Sequence, residues 1–286
     1  MKVRVWGARG SLPAPGKGRA RYGGNTSCLE LGLADGTQMI LDAGSGIAEF
    51  GRANAPELSG ALHIVLTHLH LDHIQGLMFL PALFQPEREV IVWGPPDARR
   101  SLRARLGRYL SAPLSPLEIS ELAARVEFRA CPPEGWRIGS AMLRAELVNH
   151  RGTTLGIRVE DAGASLAYIP DHEPALGRRI EEAEAEWLSG YEIAAGCDLL
   201  AHDAQYTARE YAARLGWGHS WFADAVAFAR RTGARSLALF HHDPGRLDRE
   251  LDLLVDEARD LWARAGGAAD DLFAASEGLA LELGGV

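Results

Sequence analysis

Short apolar runs separated by glycine-rich turns dominate the first third of the chain. Runs of about four to eight residues that are rich in β-branched and aromatic side chains are typical of strands. On this pattern, strands are predicted at Lys2–Gly7, Ser27–Leu33, Gln38–Leu41, Leu62–Thr67 and Val90–Trp93. The run Leu62–Thr67 is apolar along almost its whole length, which predicts a strand buried on both faces.

The rest of the chain alternates strand patterns with helical periodicity. Further strands are predicted at Ala141–Val148, Thr154–Val159, Ser165–Ile169, Cys197–Ala201, Ser236–Phe240 and Leu279–Leu283. Helical spacing predicts helices within Asp97–Glu127 and at Pro174–Leu188, Phe222–Arg231 and Arg246–Ala265. The sequence contains no linker and no repeat of fixed period. We therefore expect one α/β domain over residues 1–286, with two sheets packed together and helices outside them.

The charge of the chain bears on its substrate. The sequence has 30 Lys and Arg residues against 38 Asp and Glu residues, which gives a net charge of −8. A protein that grips long nucleic acid usually presents a basic face. Extended nucleic acid is therefore the less favoured partner. A small phosphate ester stays compatible with this charge, since bound metal ions would add positive charge locally.

Cysteine usage and hydropathy point to the cytoplasm. The three cysteines are far apart in the sequence and form no CxxC pair, which is typical of reduced thiols. The N-terminal residues lack the apolar stretch of a signal peptide. No run of about 18 apolar residues occurs, so we expect no membrane span.

Four side chains that can bind metal follow the predicted strand Leu62–Thr67 directly. They are His68, His70, Asp72 and His73. In an extended segment the side chains of residues i and i+2 point the same way, so His68 and His70 can face one ion. Asp72 and His73 lie where the chain turns towards a helix and can serve a second ion. Imidazole and carboxylate ligands suit zinc, and also manganese or iron.

Three later residues of the same kind also follow predicted strands. They are His150, Asp171 and His241. Taken singly, each is more often an ordinary polar loop residue. The repeated placement at strand ends favours a shared site at one rim of the sheets.

These residues together resemble the metallo-β-lactamase superfamily. The likeness lies in the motif His-x-His-x-Asp-His and in the later His, Asp and His. Other segments are similar to its phosphodiesterase and ribonuclease Z branch, namely 22–28, 169–174, 202–206, 216–220 and 240–244. The resemblance implies an αββα sandwich with two metal ions between the sheet edges. It further implies that His68, His70 and His150 bind the first ion, that Asp72, His73 and His241 bind the second, and that Asp171 bridges them.

The same resemblance suggests residues that contact the phosphate. In ribonuclease Z-like enzymes, a His-Glu-Ala-Thr and a Gly-His-Ser-Thr segment line the phosphate. The matching segments here make His202 and His219 candidates for phosphate contact or proton transfer. Trp221 stands where that pattern has Thr, and its ring could either pack in the core or stack on a base. His242 is interpreted as structural, with a supporting role beside the metal ligands as the alternative.

One carboxylate is predicted to orient a ligand rather than to bind metal. Asp42 follows a buried strand, and a metal-binding histidine usually donates its other N–H to a carboxylate or a carbonyl. An ordinary turn is the alternative for Asp42. Glycines at 44 and 46 are expected to allow close backbone approach there.

The function predicted from the sequence is hydrolysis of a small or cyclic phosphodiester at a binuclear metal site. Two bound cations lower the pKa of a water towards about 7, and Asp72 would orient that nucleophile while His219 donates a proton. The alternatives are a ribonuclease Z-like tRNA 3′-processing endonuclease, a thioester or lactone hydrolase, and a non-catalytic regulatory protein on the same fold. A homodimer through the Leu-rich segment Asp97–Leu122 is a further prediction.

Overall fold

The computed structural model describes residues 1–54 and 60–284. Within these ranges the strands are β1 (Lys2–Gly7), β2 (Cys28–Gly32), β3 (Gln38–Leu41), β4 (Leu62–Val65), β5 (Glu89–Gly94), β6 (Arg125–Ala130), β7 (Trp136–Ile138), β8 (Ala141–Leu147), β9 (Leu155–Asp161), β10 (Ala164–Ile169), β11 (Leu199–Asp203), β12 (Ser236–Phe240), β13 (Leu272–Ala274) and β14 (Ala280–Glu282). They form two mixed sheets, with the orders β14-β1-β2-β3-β4-β5-β6 and β13-β12-β11-β10-β9-β8-β7.

Helices cover the outer faces of both sheets. The α-helices are α1 (Gly46–Asn54), α2 (Leu71–Ile74), α3 (Leu102–Leu106), α4 (Tyr191–Ala194), α5 (Ala208–Ala212), α6 (Phe222–Thr232) and α7 (Asp248–Arg264). Helices α1 to α3 share an apolar cluster with the first sheet, and α4, α6 and α7 share one with the second. Side chains from both sheets meet in a third cluster between them. These four layers are the predicted αββα sandwich, and they confirm the fold class.

Alternation along the strands decides which residues fill the space between the sheets. In β1, Val3 and Val5 point inwards and are buried, whereas Arg4 is exposed. In β9, Ile157 and Val159 enter the same inner cluster. Burying such side chains removes apolar surface from water, at about 25 cal/mol per Å². This inner layer fixes the strand register and therefore where each strand ends.

Strand direction brings several carboxyl ends to one edge of the sandwich. Strands β3 to β6 are mutually parallel, and so are β10 to β13. Since β8 and β10 are each antiparallel to β9, they also run in the same direction. At this edge the backbone N–H of Leu155 donates to the carbonyl of Thr67 over 2.9 Å, which joins the two sheets.

Two predicted helices are wrong or much shorter than expected. Residues 174–188 form two short 3₁₀ turns, Ile180–Glu182 and Ala185–Trp187, instead of a helix. Leu176 and Gly177 have φ values of 48° and 81°, and this left-handed backbone stops an α-helix from propagating.

Within 97–127, α3 is the one α-helix that the structure describes, and the end of the segment belongs to β6. Leu102, Leu106 and Leu110 are buried in or beside it, as their helical spacing indicates. They are therefore not available for the dimer interface that this Leu-rich segment suggested. Leu114, which is 69% exposed, remains on the surface.

The cysteines and the helices add two observations. Cys28, Cys131 and Cys197 are buried and free. Within residues 1–54 and 60–284, every helix is too short or too polar to cross a membrane.

Candidate metal centre

Four strand ends converge on one cluster of polar side chains. His68 and His70 follow β4, His150 follows β8, Asp171 follows β10 and His241 follows β12. All four strands run towards the same edge, so their carboxyl ends deliver these side chains to one place. The structure thus brings together the residues that the sequence singled out separately.

Helix α2 adds the two ligands that are closest in sequence to His70. Its first turn carries Asp72 and His73, both buried. The helix packs tightly against the loop after β3, because a Cβ on Gly44 would lie 2.4 Å from the carbonyl oxygen of Asp72. A side chain at Gly44 would push α2 out of place, which fits the close backbone approach predicted at this glycine.

Three imidazoles form the first nitrogen group of the cluster. These are His68, His70 and His150, whose nearest ring nitrogens all lie within 4.8 Å of one another. His150 Nε2 is 3.2 Å from His70 Nδ1. His70 is exposed at the mouth of the cleft, whereas His68 is 2% exposed.

The second group combines two imidazoles with a carboxylate. Asp72 Oδ2 lies 3.3 Å from His73 Nε2 and 3.2 Å from His241 Nε2. The same oxygen of Asp72 also accepts a hydrogen bond from the backbone N–H of Ser11 over 2.7 Å.

Asp171 stands between the two groups and offers one oxygen to each. Its Oδ2 is 3.0 Å from His73 Nε2 and 3.3 Å from His241 Nε2. Its Oδ1 is 3.9 Å from His68 Nε2 and 3.6 Å from His150 Nε2. This is the arrangement expected of a carboxylate that bridges two cations.

Several buried atoms of this cluster lack a hydrogen-bond partner among the described residues. They are His68 Nε2, His73 Nε2, Asp171 Oδ2 and His241 Nδ1. Leaving a buried polar atom unpaired costs about 1–3 kcal/mol, so such atoms call for a ligand. Nitrogen and carboxylate oxygen donors at this spacing fit divalent metal ions such as zinc.

Burial and mutual charge set the protonation of the cluster. Burial lowers the pKa of His68, His70 and His150, which keeps these rings in the neutral form that binds metal. Burial alone would lower the pKa of His73 too, but the carboxylates of Asp171, Asp72 and Asp42 raise it. A divalent cation would supply the positive charge that a proton otherwise supplies on His73.

Asp42 holds His73 from behind. Its Oδ2 accepts a hydrogen bond from His73 Nδ1 over 2.8 Å, and its Oδ1 accepts one from the backbone N–H of Thr67. Asp42 has a φ of 60°, a conformation that Asp tolerates better than most residues. It therefore directs His73 Nε2 into the cluster, which is the role predicted for it.

Gly10 and Ser11, near the N-terminus, close one wall of the cluster, a role that was not predicted from the sequence. A Cβ on Gly10 would lie 2.4 Å from His241 Nδ1. Ser11, with a φ of 61°, turns its N–H towards Asp72. The glycine of the Gly10-Ser11 pair could have indicated this wall, because glycine allows another part of the chain to approach the backbone closely.

His219 lies at the rim of the cluster and is held by a buried carboxylate. Its Nδ1 donates to Asp203 Oδ2 over 2.6 Å, and the side chain is 12% exposed. Burial lowers the pKa of His219, but Asp203 and then Asp171 outweigh this and raise it to about 9. The ring stacks on that of His241 at 5.0 Å between centroids.

His202 lies outside the cleft, which corrects its assignment as a phosphate contact. It is fully buried, and its Nε2 and Nδ1 bond to His172 Nδ1 and the carbonyl of Asp203 at 2.9 and 2.8 Å. Its ring packs on Phe228 of α6. A substrate has no access to it.

Two other residues that the sequence left open also pack in the protein. Trp221 is partly buried against the outer cluster of the second sheet and contacts Phe222. His242 is buried, and its Nε2 donates to the carbonyl of Ala275 over 2.8 Å. Neither ring joins the metal-ligand cluster among the described residues.

The chain is similar to several known proteins in sequence and in fold. Ribonuclease Z from Haloarcula marismortui is 25% identical over 315 aligned positions, which cover 92% of each chain. The metallo-β-lactamase fold protein YhfI from Bacillus subtilis superposes with a TM-score of 0.71 at 20% identity and 98% coverage of both chains. A diphosphatase from the PhnP family superposes with a TM-score of 0.65 at 19% identity, covering 98% of this chain and 97% of that one.

The β-lactamase superfamily domain matches residues 37–242, which is well over half of the chain and includes every candidate ligand, whereas Gly10 and Ser11 lie outside the match. Fold, ligand cluster and family match lead to one conclusion: this chain belongs to the metallo-β-lactamase superfamily and is a metal-dependent hydrolase.

Proposed function

We propose that the protein hydrolyses a small or cyclic phosphodiester with the help of two divalent metal ions, most suitably zinc. The observation that carries the proposal is the carboxylate of Asp171, which faces one nitrogen group with Oδ1 and the other with Oδ2. A single bridging carboxylate between two nitrogen-rich groups is suited to a pair of cations.

The residues that would hold the ions follow from the two groups. His68, His70 and His150 would bind the first ion, and Asp72, His73 and His241 the second, with Asp171 shared. When bound, such cations lower the pKa of a water to about 7 and neutralise charge on the phosphoryl oxygens.

Asp72 and His219 are the proposed catalytic residues. Asp72 Oδ2 lies at the edge of the second group, where it would accept a hydrogen bond from the attacking water and orient it. His219 would carry its proton on Nε2 towards the leaving oxygen, because Nδ1 is committed to Asp203. His202 takes no part in the proposed chemistry.

The acidic charge of the chain supports a small substrate. A net charge of −8 disfavours a large nucleic-acid footprint. One structural neighbour, a diphosphatase from the PhnP family, is an enzyme that acts on a phosphate compound.

A ribonuclease Z-like endonuclease is the second candidate, and two observations favour it. The Haloarcula marismortui relative that spans 92% of this chain carries that name. In addition, Arg99, Arg100, Arg103 and Arg108 are exposed on the segment after β5, at the same edge as the metal-ligand loop. Tyr109 ties this segment to α2 by donating to the carbonyl of Gln75 over 2.7 Å.

A substrate panel tests the proposal. Purified, metal-analysed protein would be assayed on 2′,3′- and 3′,5′-cyclic nucleotides, bis(p-nitrophenyl) phosphate, a precursor tRNA and a thioester, with His68→Ala as the blank. We expect turnover of the small diesters that the variant loses. Cleavage of the precursor tRNA alone would move the assignment to the endonuclease, and turnover of the thioester alone would refute phosphodiester chemistry.

A further inference from the structure

Glu173 is a fully buried carboxylate that the proposed chemistry does not use. It lies two residues after Asp171 and has no exposed surface. Its backbone N–H donates to the carbonyl of Asn149, the residue before His150, over 3.0 Å. Burying a carboxylate is costly unless several donors satisfy it. The donors that satisfy Glu173 therefore indicate what the residue holds in place.

The donors come mainly from one glycine-rich loop. Oε1 accepts hydrogen bonds from the backbone N–H of Gly216 over 3.0 Å and from the hydroxyl of Tyr211 over 3.1 Å. Oε2 accepts one from the backbone N–H of Gly218 over 2.9 Å. The carboxylate thus holds the backbone N–H of Gly218 as well as the loop that leads to it.

The residue held in this way, Gly218, in turn holds one of the candidate ligands through its carbonyl. The carbonyl of Gly218 accepts a hydrogen bond from His150 Nδ1 over 2.7 Å. This bond keeps the proton on Nδ1 and leaves Nε2 as a lone-pair donor facing Asp171 and His70. The approach is so close that a Cβ on Gly218 would lie 2.5 Å from His150 Nδ1, and its φ of 88° also suits glycine.

We propose that Glu173 is a positioning residue for the first nitrogen group. It holds the Gly216–Gly218 loop, and the loop carbonyl sets the tautomer and ring orientation of His150. Partners that orient a metal ligand typically change metal affinity by about 10–100-fold when they are removed. The inference rests on the proposed metal-binding role of His68, His70 and His150, but not on any particular substrate.

Cobalt titration of metal-free protein tests the proposal without relying on activity. The visible absorption of bound Co²⁺ reports each class of site separately. In Glu173→Gln one carboxylate oxygen becomes an NH₂ group that faces a backbone N–H. We expect the class formed by His68, His70 and His150 to bind Co²⁺ about 10–100-fold more weakly, with the other class unchanged.

Three variants calibrate the result. Glu210→Gln makes the same chemical change at a carboxylate that pairs with Arg246 away from the cluster, and it should leave both classes intact. Asp42→Asn should weaken the other class, the one that contains His73. Tyr211→Phe removes one donor to Glu173 and keeps its charge, so it should weaken the first class several-fold even if Glu173→Gln does not fold.

The outcomes separate this inference from the proposed function. Selective weakening of the first class supports it, even if the wild-type protein hydrolyses no phosphodiester in the panel. Unchanged Co²⁺ binding in Glu173→Gln and Tyr211→Phe would overturn it. Equal weakening of both classes, in step with a lower melting temperature, would also overturn it, because it would show a general structural role.

Discussion

Two largely buried polar clusters, both containing histidines and carboxylates, lie side by side in this molecule. The ligand cluster consists of His68, His70, Asp72, His73, His150, Asp171 and His241, and ligand atoms of Asp203 and His219 lie within 4.8 Å of those of Asp171 and His241. The support cluster consists of His172, Glu173, His202, Asp203 and Ser220. Both contain His and acidic residues at strand ends of the second sheet, but the ligand cluster also takes four residues from the segment that follows β4 of the first sheet.

The clusters differ in how their polar atoms are satisfied. In the support cluster, Asp203 accepts hydrogen bonds from the N–H groups of His172, Gln205 and Ser220 and from the ring of His219. Within the described residues, His172 Nε2 is the atom of that cluster without a partner. In the ligand cluster the unpaired atoms His68 Nε2, His73 Nε2 and Asp171 Oδ2 face one another. Composition alone therefore does not distinguish the two clusters, whereas the pairing of their buried atoms does.

The largest expected effect comes from removing a ligand. His68→Ala should lower phosphodiesterase activity by about 10³-fold, the equivalent of several kcal/mol of metal catalysis. The measurement is kcat/KM at saturating metal, with metal content determined in parallel. Retention of full activity with two bound ions would show that the ligand cluster is not the active site.

The converse effect is expected in the support cluster. His202→Ala should lower the free energy of unfolding by about 2–4 kcal/mol, since it leaves a cavity beside Phe228 and an unpaired nitrogen on His172. Its kcat per folded molecule should stay within a few-fold of wild type. Urea unfolding and active-site-normalised assays would check both statements, and a large loss of kcat at wild-type stability would restore His202 to the catalytic machinery.

His219 lies where the two clusters meet, and its removal should affect rate more than stability. His219→Ala takes away a proton donor at the rim, so kcat should fall by about 10²-fold. Activity on an ester with a good leaving group such as p-nitrophenolate should fall less, because that leaving group needs no proton. Equal losses on good and poor leaving groups would assign His219 to phosphate binding instead.

A smaller effect is expected at the residue that supports His73. Asp42→Asn keeps the shape of the side chain and suits the left-handed backbone, but it removes the charge that faces His73 Nδ1. Metal affinity of the second group should fall by about 10–100-fold. Competition with a chromophoric chelator measures this change, and wild-type affinity would mean that Asp42 serves only the turn.

How much of this the sequence could predict depends on the spacing of the residues. His68, His70, Asp72 and His73 are contiguous and follow a strand, so local pattern was enough to group them. His150, Asp171 and His241 each follow a strand, and the parallel direction of these strands brings them together. Grouping them needed topology, which the resemblance implied and local pattern did not.

The assignment of His202 failed for a reason that lies in strand geometry. Successive residues of a strand face opposite sides, and Leu200 and His202 of β11 both face the outer helical layer. Asp203 faces the cleft and holds His219. Alternation counted from the inward-facing Leu199 and Ala201 would have excluded His202 from the cleft.

Helix α1 was missed because its glycines, required for contact with neighbouring segments, lower helical propensity.

Asp224 offers the smallest test of the difference between the clusters, because it is a carboxylate of the neighbouring helix with fewer hydrogen-bond donors than Asp203. Burial, together with the charges of Glu181 and Glu173, raises the pKa of Asp224 to about 6, although a hydrogen bond from the side chain of Trp221 opposes the rise. In the unfolded chain this pKa is about 3.9. The unfolded state therefore releases its proton first as the pH rises, and the protein should lose about 1–2 kcal/mol of stability between pH 4 and 7 from this group.

Asp224→Asn removes that dependence, so the stability of the variant relative to wild type should increase by the same amount across this range. Urea unfolding at several pH values measures it, and loss of metal at low pH cancels in the comparison because Asp224 lies outside the ligand cluster. Glu210→Gln provides a control of opposite sign. Although burial opposes it, the hydrogen bond from Arg246 lowers the pKa of Glu210, so the stability that Glu210 contributes is present above its unfolded pKa and lost as the pH falls through the folded one. The contrary result is a difference in the free energy of unfolding between Asp224→Asn and wild type that stays constant with pH. It would show that water or a protein donor satisfies Asp224 as fully as Asp203 is satisfied in the support cluster.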